Sequence, residues 1–211
     1  METFRYYLAL FLTGSVPAIL VYLLLLHALI GVWRRIGVAA AQIFLWTAVL
    51  GVFLWVISAT RNFALADFGP NPIFFNAGMV CLAMAVWLRV KVSRSIGWRA
   101  LLGLPEIDPK KYKQSLVTSG PYARVRHPRY LQAFLALIGW ALIANHPASY
   151  LACSFWIPGI WLVVTLEEQE LAERFGAEFE AYRKRVPKFF ALRRERFEEK
   201  GARDFTERRA G

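Results

Sequence analysis

Four long stretches without charged residues divide the chain into apolar and polar blocks. Asp, Glu, Lys and Arg are absent from residues 6–33, 36–60, 68–88 and 130–166. Because about 20 apolar helical residues cross the hydrocarbon core of a bilayer, each of the first three stretches accommodates one spanning helix. The fourth has 37 residues and accommodates two. We expect these two to meet at Asn145-His146-Pro147, since proline disfavours helix at the residue before it.

This pattern predicts an all-α membrane protein with about five transmembrane helices and a cytoplasmic C-terminal helical region. The predicted spans cover residues 8–30, 38–58, 72–90, 129–144 and 148–166. Pro17 and Pro158 predict kinks in the first and fifth spans. The first span is too long for the 7–15-residue core of a signal peptide, so it is interpreted as a helix of the protein itself.

We interpret residues 1–190 as a single integral-membrane domain. Its first part, residues 1–92, holds three N-terminal spans. Its second part, residues 93–190, holds a loop, a membrane hairpin and a cytoplasmic helix. Residues 191–211 form a charged C-terminal tail.

The charge pattern predicts the orientation in the membrane. The chain has a formal net charge of +11, and residues 89–129 alone hold ten Lys or Arg against two acids. With five spans, this loop lies on the same side as Arg34, Arg35 and the C-terminal tail. The positive-inside rule makes that side cytoplasmic and the N-terminus external. We expect the protein to lie in the inner membrane of the cell. The charge thus points to topology and membrane lipids, and not to nucleic acid, because no nucleic-acid-binding motif accompanies it.

Cys81 and Cys153 both lie inside predicted spans. With no CxxC motif and no cluster of Cys and His, we expect neither structural zinc nor a disulfide framework. No metal site is predicted.

The stretch Arg126-His127-Pro128-Arg129-Tyr130 is typical of a helix start. Proline is favoured in the first turn, which places His127 close to the N-cap of the fourth span. The free N–H groups there suit an anion. Alternatively, the arginines only hold the helix end at the membrane surface, which explains Arg124 and Arg129 better than His127 and Tyr130.

Apolar residues recur every three or four positions after the fifth span, which predicts one stripe of a cytoplasmic helix. The members are Leu171, Phe175, Phe179, Tyr182 and Val186. Glu167 lies one turn before this stripe and on the same face, so its carboxylate needs a partner. We expect Glu168 and Glu170 to face water or basic neighbours.

Two further segments have alternative interpretations. Residues 114–122 combine small polar residues with Gly-Pro, which is typical of a turn, and they are either a plain connector or part of a site. In residues 182–190, Pro187 ends the helix. The basic and aromatic residues around it are either an interfacial stop or part of a site.

Taken together, the segments LVTSGPY, RHPRY, EEQEL, RFGAEFEAY and RVPKFF resemble the isoprenylcysteine carboxyl methyltransferase family. Membrane phospholipid methyltransferases share a similar C-terminal pattern. The resemblance covers residues 114–190 and is weak as a guide to the substrate.

The resemblance implies an integral-membrane enzyme that uses S-adenosylmethionine without a Rossmann domain. The cofactor would lie between the membrane helices and the C-terminal part, and no catalytic residue is assigned. The implied cofactor-binding residues are Gln114, Ser115, Leu116, Val117, Tyr122, Arg126, His127, Pro128, Arg129, Tyr130 and Glu167.

Three positions depart from the family pattern. Gln132 stands where glycine is frequent, and Lys188 stands where arginine is frequent. The arginine assigned to a carboxylate substrate is replaced by Val163 or Val164. We therefore expect a membrane-associated or apolar acceptor that enters sideways between helices, with its nucleophilic atom open. Candidates are an isoprenylcysteine-like carboxylate, a lipid head group or a small thiol or amine.

Two other functions remain as alternatives. An NADPH-dependent membrane reductase of the sterol type resembles this class in its C-terminal membrane fold. A scaffold or small transporter would need polar residues lining a path through the spans. The polar residues of the spans are scattered, which disfavours this second alternative: His27, Gln42, Asn76 and Gln132.

Overall fold

The computed structural model describes residues 2–62, 66–96, 102–112 and 115–189. These residues form helices and turns, with no strand among them. The helices are α1 (Glu2–Ala28), α2 (Ile30–Ile36), α3 (Val38–Thr60), α4 (Pro72–Ser93), α5 (Leu104–Ile107), α6 (Pro128–Ala144), α7 (Pro147–Phe175) and α8 (Ala177–Arg185). A 3₁₀ turn covers Gly120–Ala123.

Four of these helices, α1, α3, α4 and α7, are long and apolar enough to cross a membrane. Large apolar side chains on α3 and α4 face outward, including Trp55 and Ile73, as expected of surfaces that contact lipid. The predicted all-α membrane fold is confirmed. The fourth predicted span is a shorter apolar helix, α6, whose 17 residues extend about 25 Å.

Several predicted boundaries are wrong. The first span begins at Glu2 and ends at Ala28, and a separate short helix, α2, follows it. The fifth continues without a break beyond residue 166 to Phe175, because the sequence there keeps good helix formers until Gly176. Both α1 and α7 continue through their internal prolines, Pro17 and Pro158, so neither proline ends its helix, and the kinks stay a prediction.

The main core lies where α1 packs against α6 and α7. It buries Val16, Leu137, Trp156 and Ile160, among others. A second cluster joins α1, α2 and α3, and Ile107 of α5 inserts into it. The short helix α5 is thereby held against the N-terminal helices.

Two glycines let α4 and α6 approach each other closely. A Cβ on Gly78 would lie 2.7 Å from the carbonyl oxygen of Gly139, and one on Gly139 would lie 2.9 Å from that of Gly78. Small residues at such crossings allow the backbones of membrane helices to meet. The position of α6 is therefore set by its contact with α4.

The end of the bundle where α6 and α7 meet is called the hairpin end. Asn145 joins these helices in the left-handed conformation, with φ of 49°. Its side chain donates to the carbonyl of Gly69 (2.8 Å), and Arg5 donates to the carbonyl of Ala144 (2.9 Å) and pairs with Asp67. The predicted hairpin is thus tied to α1 and to the segment before α4.

Candidate active site

The predicted apolar stripe exists, but it belongs to two helices. Gly176, with φ of 50°, ends α7 and begins α8. The stripe residues form one cluster with the partly buried Leu116: Leu171, Phe175, Phe179, Tyr182 and Val186. Glu167 therefore lies on α7 itself and not on a separate cytoplasmic helix, which corrects the expectation from sequence.

The helix start at Pro128 is as predicted. His127 is the N-cap of α6, and Pro128 stands in its first turn. The His127 side chain makes no capping bond. Its Nε2 lies 2.9 Å from the Glu168 carboxylate, so the imidazole connects the start of α6 to α7.

Glu168 is the centre of a buried ionic cluster. Its carboxylate accepts from Arg126 Nε at 2.9 Å and lies 3.3 Å from Lys188 Nζ. Arg126 also donates to the carbonyls of Arg183 (2.8 Å) and Val186. The guanidinium of Arg126 therefore joins α7 to the end of α8.

Glu170, the other acid that the sequence places toward water or basic neighbours, is also buried. Glu168 is 6% exposed and Glu170 is 5% exposed, so the expectation that these acids face water is wrong. The expectation that they have basic neighbours is right. Around Glu170 lie His27 (3.2 Å), Arg34 (3.1 Å) and Arg174 (3.5 Å). These contacts join α7 to α1 and α2.

Glu167 faces a different set of groups. Tyr130 donates its hydroxyl proton to the Glu167 carboxylate at 2.7 Å. Arg129 donates to the Tyr130 oxygen at 2.6 Å and lies 3.7 Å from Glu167. The start of α6 and the end of α7 thus share a chain of charge-assisted hydrogen bonds.

The segment after α8 pairs with the segment before α6 through its backbone. Arg126 N–H donates to the Pro187 carbonyl (2.8 Å), and His127 N–H donates to that of Lys188 (3.1 Å). Tyr182 donates its hydroxyl to the Tyr122 carbonyl at 2.7 Å. Burial raises the pKa of Tyr182 to about 12, so the phenol stays protonated at neutral pH and keeps donating.

These elements surround one pocket. Nine residues proposed from sequence line it: Ser115, Leu116, Val117, Tyr122, Arg126, His127, Arg129, Tyr130 and Glu167. Pro128 instead lines a neighbouring cavity between α4 and α6. Gln114 lies outside the described residues. The role of the nine in binding a cofactor stays a prediction.

The pocket also contains residues that sequence reasoning did not assign to it. Arg174 lies seven positions after Glu167, which is two helical turns and the same face, so helical spacing could have indicated it. Ile96 and Glu106 had no comparable signal, because Ile96 lies in the turn after α4 and Glu106 on the short helix α5, both outside the apolar stripe. The remaining members come from the apolar stripe: Leu171, Phe175 and Tyr182.

The pocket combines both signs of charge with apolar walls. Glu106 and Glu167 are its acidic residues. Of its arginines, Arg129 and Arg174 are more exposed than Arg126. Burial raises the pKa of Glu106, and the positive charge of Arg129 opposes this shift. Leu116, Val117 and Phe175 offer apolar contact area. Such a pocket suits an amphipathic ligand that carries both a cation and an anion.

Within the described part of the chain, no group of three or more His, Cys, Asp and Glu side chains is arranged to hold a metal ion.

Comparison with known proteins gives a family and several relatives. A sequence model of the phospholipid methyltransferase family matches residues 73–178. The matched region contains α4, α6 and α7, and with them most of the pocket wall.

Three curated proteins are similar to parts of the chain. The nickel-cobalt-cadmium resistance protein NccN of Alcaligenes xylosoxydans xylosoxydans is 29% identical over 151 residues, 71% of this chain and 64% of that protein. The protein-S-isoprenylcysteine O-methyltransferase of Schizosaccharomyces pombe is 38% identical over 76 residues, 34% of this chain and 31% of that protein. The cobalt-zinc-cadmium resistance protein CzcN of Cupriavidus metallidurans is 32% identical over 124 residues, 57% of this chain and 50% of that protein.

The chain therefore spans between 31% and 64% of the length of these relatives. No solved structure matches it significantly.

Proposed function

The chain belongs to the phospholipid methyltransferase family, and we propose that it is an integral-membrane enzyme that transfers the methyl group of S-adenosylmethionine to a membrane-associated or apolar acceptor. Family membership agrees with the resemblance carried by the sequence motifs. The observation that carries the proposal is the single pocket formed by residues 115–117, Tyr122, the start of α6 and Glu167.

The residues of the pocket fit this cofactor. S-adenosylmethionine supplies a methyl group on a sulfonium, together with an ammonium, a carboxylate and an adenosine. Arg129 and Arg174 can attract the carboxylate, with the N–H groups at the start of α6. Leu116, Val117 and Phe175 can pack against the adenine.

Positioning is the main task of the protein in this reaction. Methyl transfer is an in-line displacement, so the donor and the acceptor atom must be aligned and shielded from water. The ionic bonds of Glu167 and Glu168 fix the start of α6 against α7, which holds the pocket wall rigid. A carboxylate or thiolate acceptor needs no base, whereas a protonated amine must first lose a proton.

We propose that the acceptor is lipophilic and that its binding does not require an arginine that pairs with a substrate carboxylate. Val163 and Val164, at the position of the substrate arginine of carboxyl methyltransferases, are both 0% exposed. They lie in the main core with Trp156 and Ile160. These side chains leave no polar group at that position of α7.

We place the protein in the inner membrane with the pocket at the cytoplasmic face. The basic loop before α6 lies at the pocket end, which the positive-inside rule assigns to the cytoplasm. The hairpin end and the N-terminus are then external.

Calorimetry on the purified protein in detergent tests the proposal. We expect saturable binding of S-adenosylmethionine and S-adenosylhomocysteine. Glu167→Gln should weaken this binding about tenfold or more, because a negative charge that lines the pocket is lost. Glu173→Gln is the matched control, since Glu173 is exposed on the same helix. Thermal unfolding verifies that both variants fold.

The absence of saturable binding by folded wild-type protein would overturn the proposal. A parallel titration with NADPH addresses the reductase alternative. Binding of NADPH without binding of S-adenosylmethionine would favour a reductase.

A further inference from the structure

Of the two acids that line the pocket, Glu106 is the one that forms no ion pair with a cation of the described part of the chain. Glu167 accepts from Tyr130 and lies beside Arg129, and Glu168 has Arg126, His127 and Lys188. Glu106 lines the same pocket, yet its Oε2 is buried and has no hydrogen-bond partner among the described residues.

The segment that carries Glu106 is held firmly in place. The Leu102 carbonyl accepts from Gln42 Nε2 (2.8 Å) and from the Tyr22 hydroxyl (3.1 Å). Arg34 Nε donates to the Glu106 carbonyl at 3.1 Å, and Ile107 is buried in the cluster of α1, α2 and α3. The position of Glu106 is therefore fixed by the N-terminal helices.

Gly103 makes this docking possible. Its φ is 68°, and a Cβ there would lie 2.6 Å from Leu26 Cδ2. Only glycine adopts this conformation without strain and also allows the close contact with α1. The backbone thus brings Glu106 to the pocket on a segment that is held by the N-terminal helices.

A buried carboxylate oxygen without a partner is costly, and burial of an uncompensated charge is costlier. A ligand that brings both a positive charge and hydrogen-bond donors removes both costs. In S-adenosylmethionine the sulfonium has charge but no donor, and the ribose hydroxyls are donors without charge. The α-ammonium has both.

We propose that Glu106 binds the α-ammonium of S-adenosylmethionine and is therefore a further cofactor-binding residue. This inference rests on the proposed function. It gives the N-terminal helices a part in cofactor binding, because they hold the segment from which Glu106 reaches the cofactor.

Three ligands separate this role from other contacts. S-adenosylmethionine has the ammonium and the sulfonium, S-adenosylhomocysteine keeps the ammonium alone, and 5′-methylthioadenosine has neither. Calorimetry with the full-length protein in detergent would compare wild type, Glu106→Gln and Glu178→Gln. The last is the control, because Glu178 is exposed on α8.

We expect Glu106→Gln to lower the affinity for both ammonium-bearing ligands by about tenfold or more. Its affinity for 5′-methylthioadenosine should stay within about twofold of the wild-type value. The control should match the wild type for all three. Because the substitution removes a carboxylate whose buried Oε2 has no hydrogen-bond partner among the described residues, the thermal midpoint of the free protein should stay the same or rise.

Other results would overturn the inference. Loss of affinity for S-adenosylmethionine alone would indicate that Glu106 contacts the sulfonium. An equal loss for all three ligands would indicate that it contacts the adenosine or that the substitution disturbs the pocket as a whole. Unchanged affinities in Glu106→Gln, with a wild type that binds, would refute this role and leave the proposed function standing. A wild type that binds none of them would refute both.

Discussion

Glu167 and Glu168 are neighbours on α7 that both lie near His127 but otherwise contact different groups. Successive helical residues are rotated by about 100°, so their side chains point in different directions. Glu167 meets Tyr130 and Arg129 at the pocket, whereas Glu168 meets Arg126 and His127 beside it. One acid thus lines the pocket, and the other positions the chain that forms its wall.

Removal of the Glu168 charge should destabilise the whole protein. In Glu168→Gln, Arg126 and Lys188 lose their buried counter-charge, and we expect the thermal midpoint in detergent to fall by about 5–10 °C. Glu173→Gln, at an exposed position of the same helix, should leave the midpoint unchanged. A midpoint for Glu168→Gln equal to that of the wild type would show that the cluster contributes no stability.

At the scale of elements, α6 connects the helix crossing with the pocket. Its N-terminus carries His127 and Tyr130, and its middle packs on α4 through Gly139. Because a helix moves as a rigid unit, a displacement at the crossing reaches the pocket wall. We therefore expect stability and the proposed ligand binding to be coupled through this one helix.

Gly139→Val tests this coupling. The new side chain would begin with a Cβ 2.9 Å from the Gly78 carbonyl oxygen and from Leu82 Cδ2, so α4 and α6 must separate. We expect a loss of about 1–3 kcal/mol of stability and weaker binding of S-adenosylmethionine.

Gly51→Ala is the matched control, since nothing lies within 4 Å of a Cβ at Gly51 on α3. It should be neutral or stabilise by up to about 1 kcal/mol, measured by thermal unfolding. Equal behaviour of the two variants would contradict a tight crossing at Gly139.

At the scale of the whole molecule, the two ends of the bundle differ in chemistry. The hairpin end is closed by the ion pair of Arg5 with Asp67 and by hydrogen bonds from Arg5 and Asn145 to nearby carbonyls. The opposite end contains the pocket and the basic loop. This asymmetry is the physical basis of the proposed orientation.

Cysteine labelling tests the orientation. Asn62→Cys after α3 and Thr118→Cys after α4 would be introduced separately after Cys81 and Cys153 have been replaced by alanine. We expect a membrane-impermeant maleimide to label intact cells at residue 62, and at residue 118 only after permeabilisation. The reverse pattern would invert the proposed topology, and labelling of both from one side would show that α4 does not cross.

Much of this architecture follows from local rules. The uncharged stretches predict the membrane helices, because bilayer thickness sets the length of a span. Pro128 and Pro147 mark helix starts, because proline fits the first turn. The apolar spacing that placed Glu167 on a packed face holds across Gly176, although that glycine divides the stripe between α7 and α8.

The sequence by itself determined the membrane helices, the helix start at Pro128, and an inward-facing Glu167, since each depends on neighbours within a few turns. The tertiary structure alone decided the burial of Glu168 and Glu170, whose partners come from segments distant in the chain. It also decided the position of Glu106 in the pocket wall, which depends on the packing of α5 against α1 and α3. Such contacts leave no periodic pattern, because their two sides are set by packing and not by chain spacing.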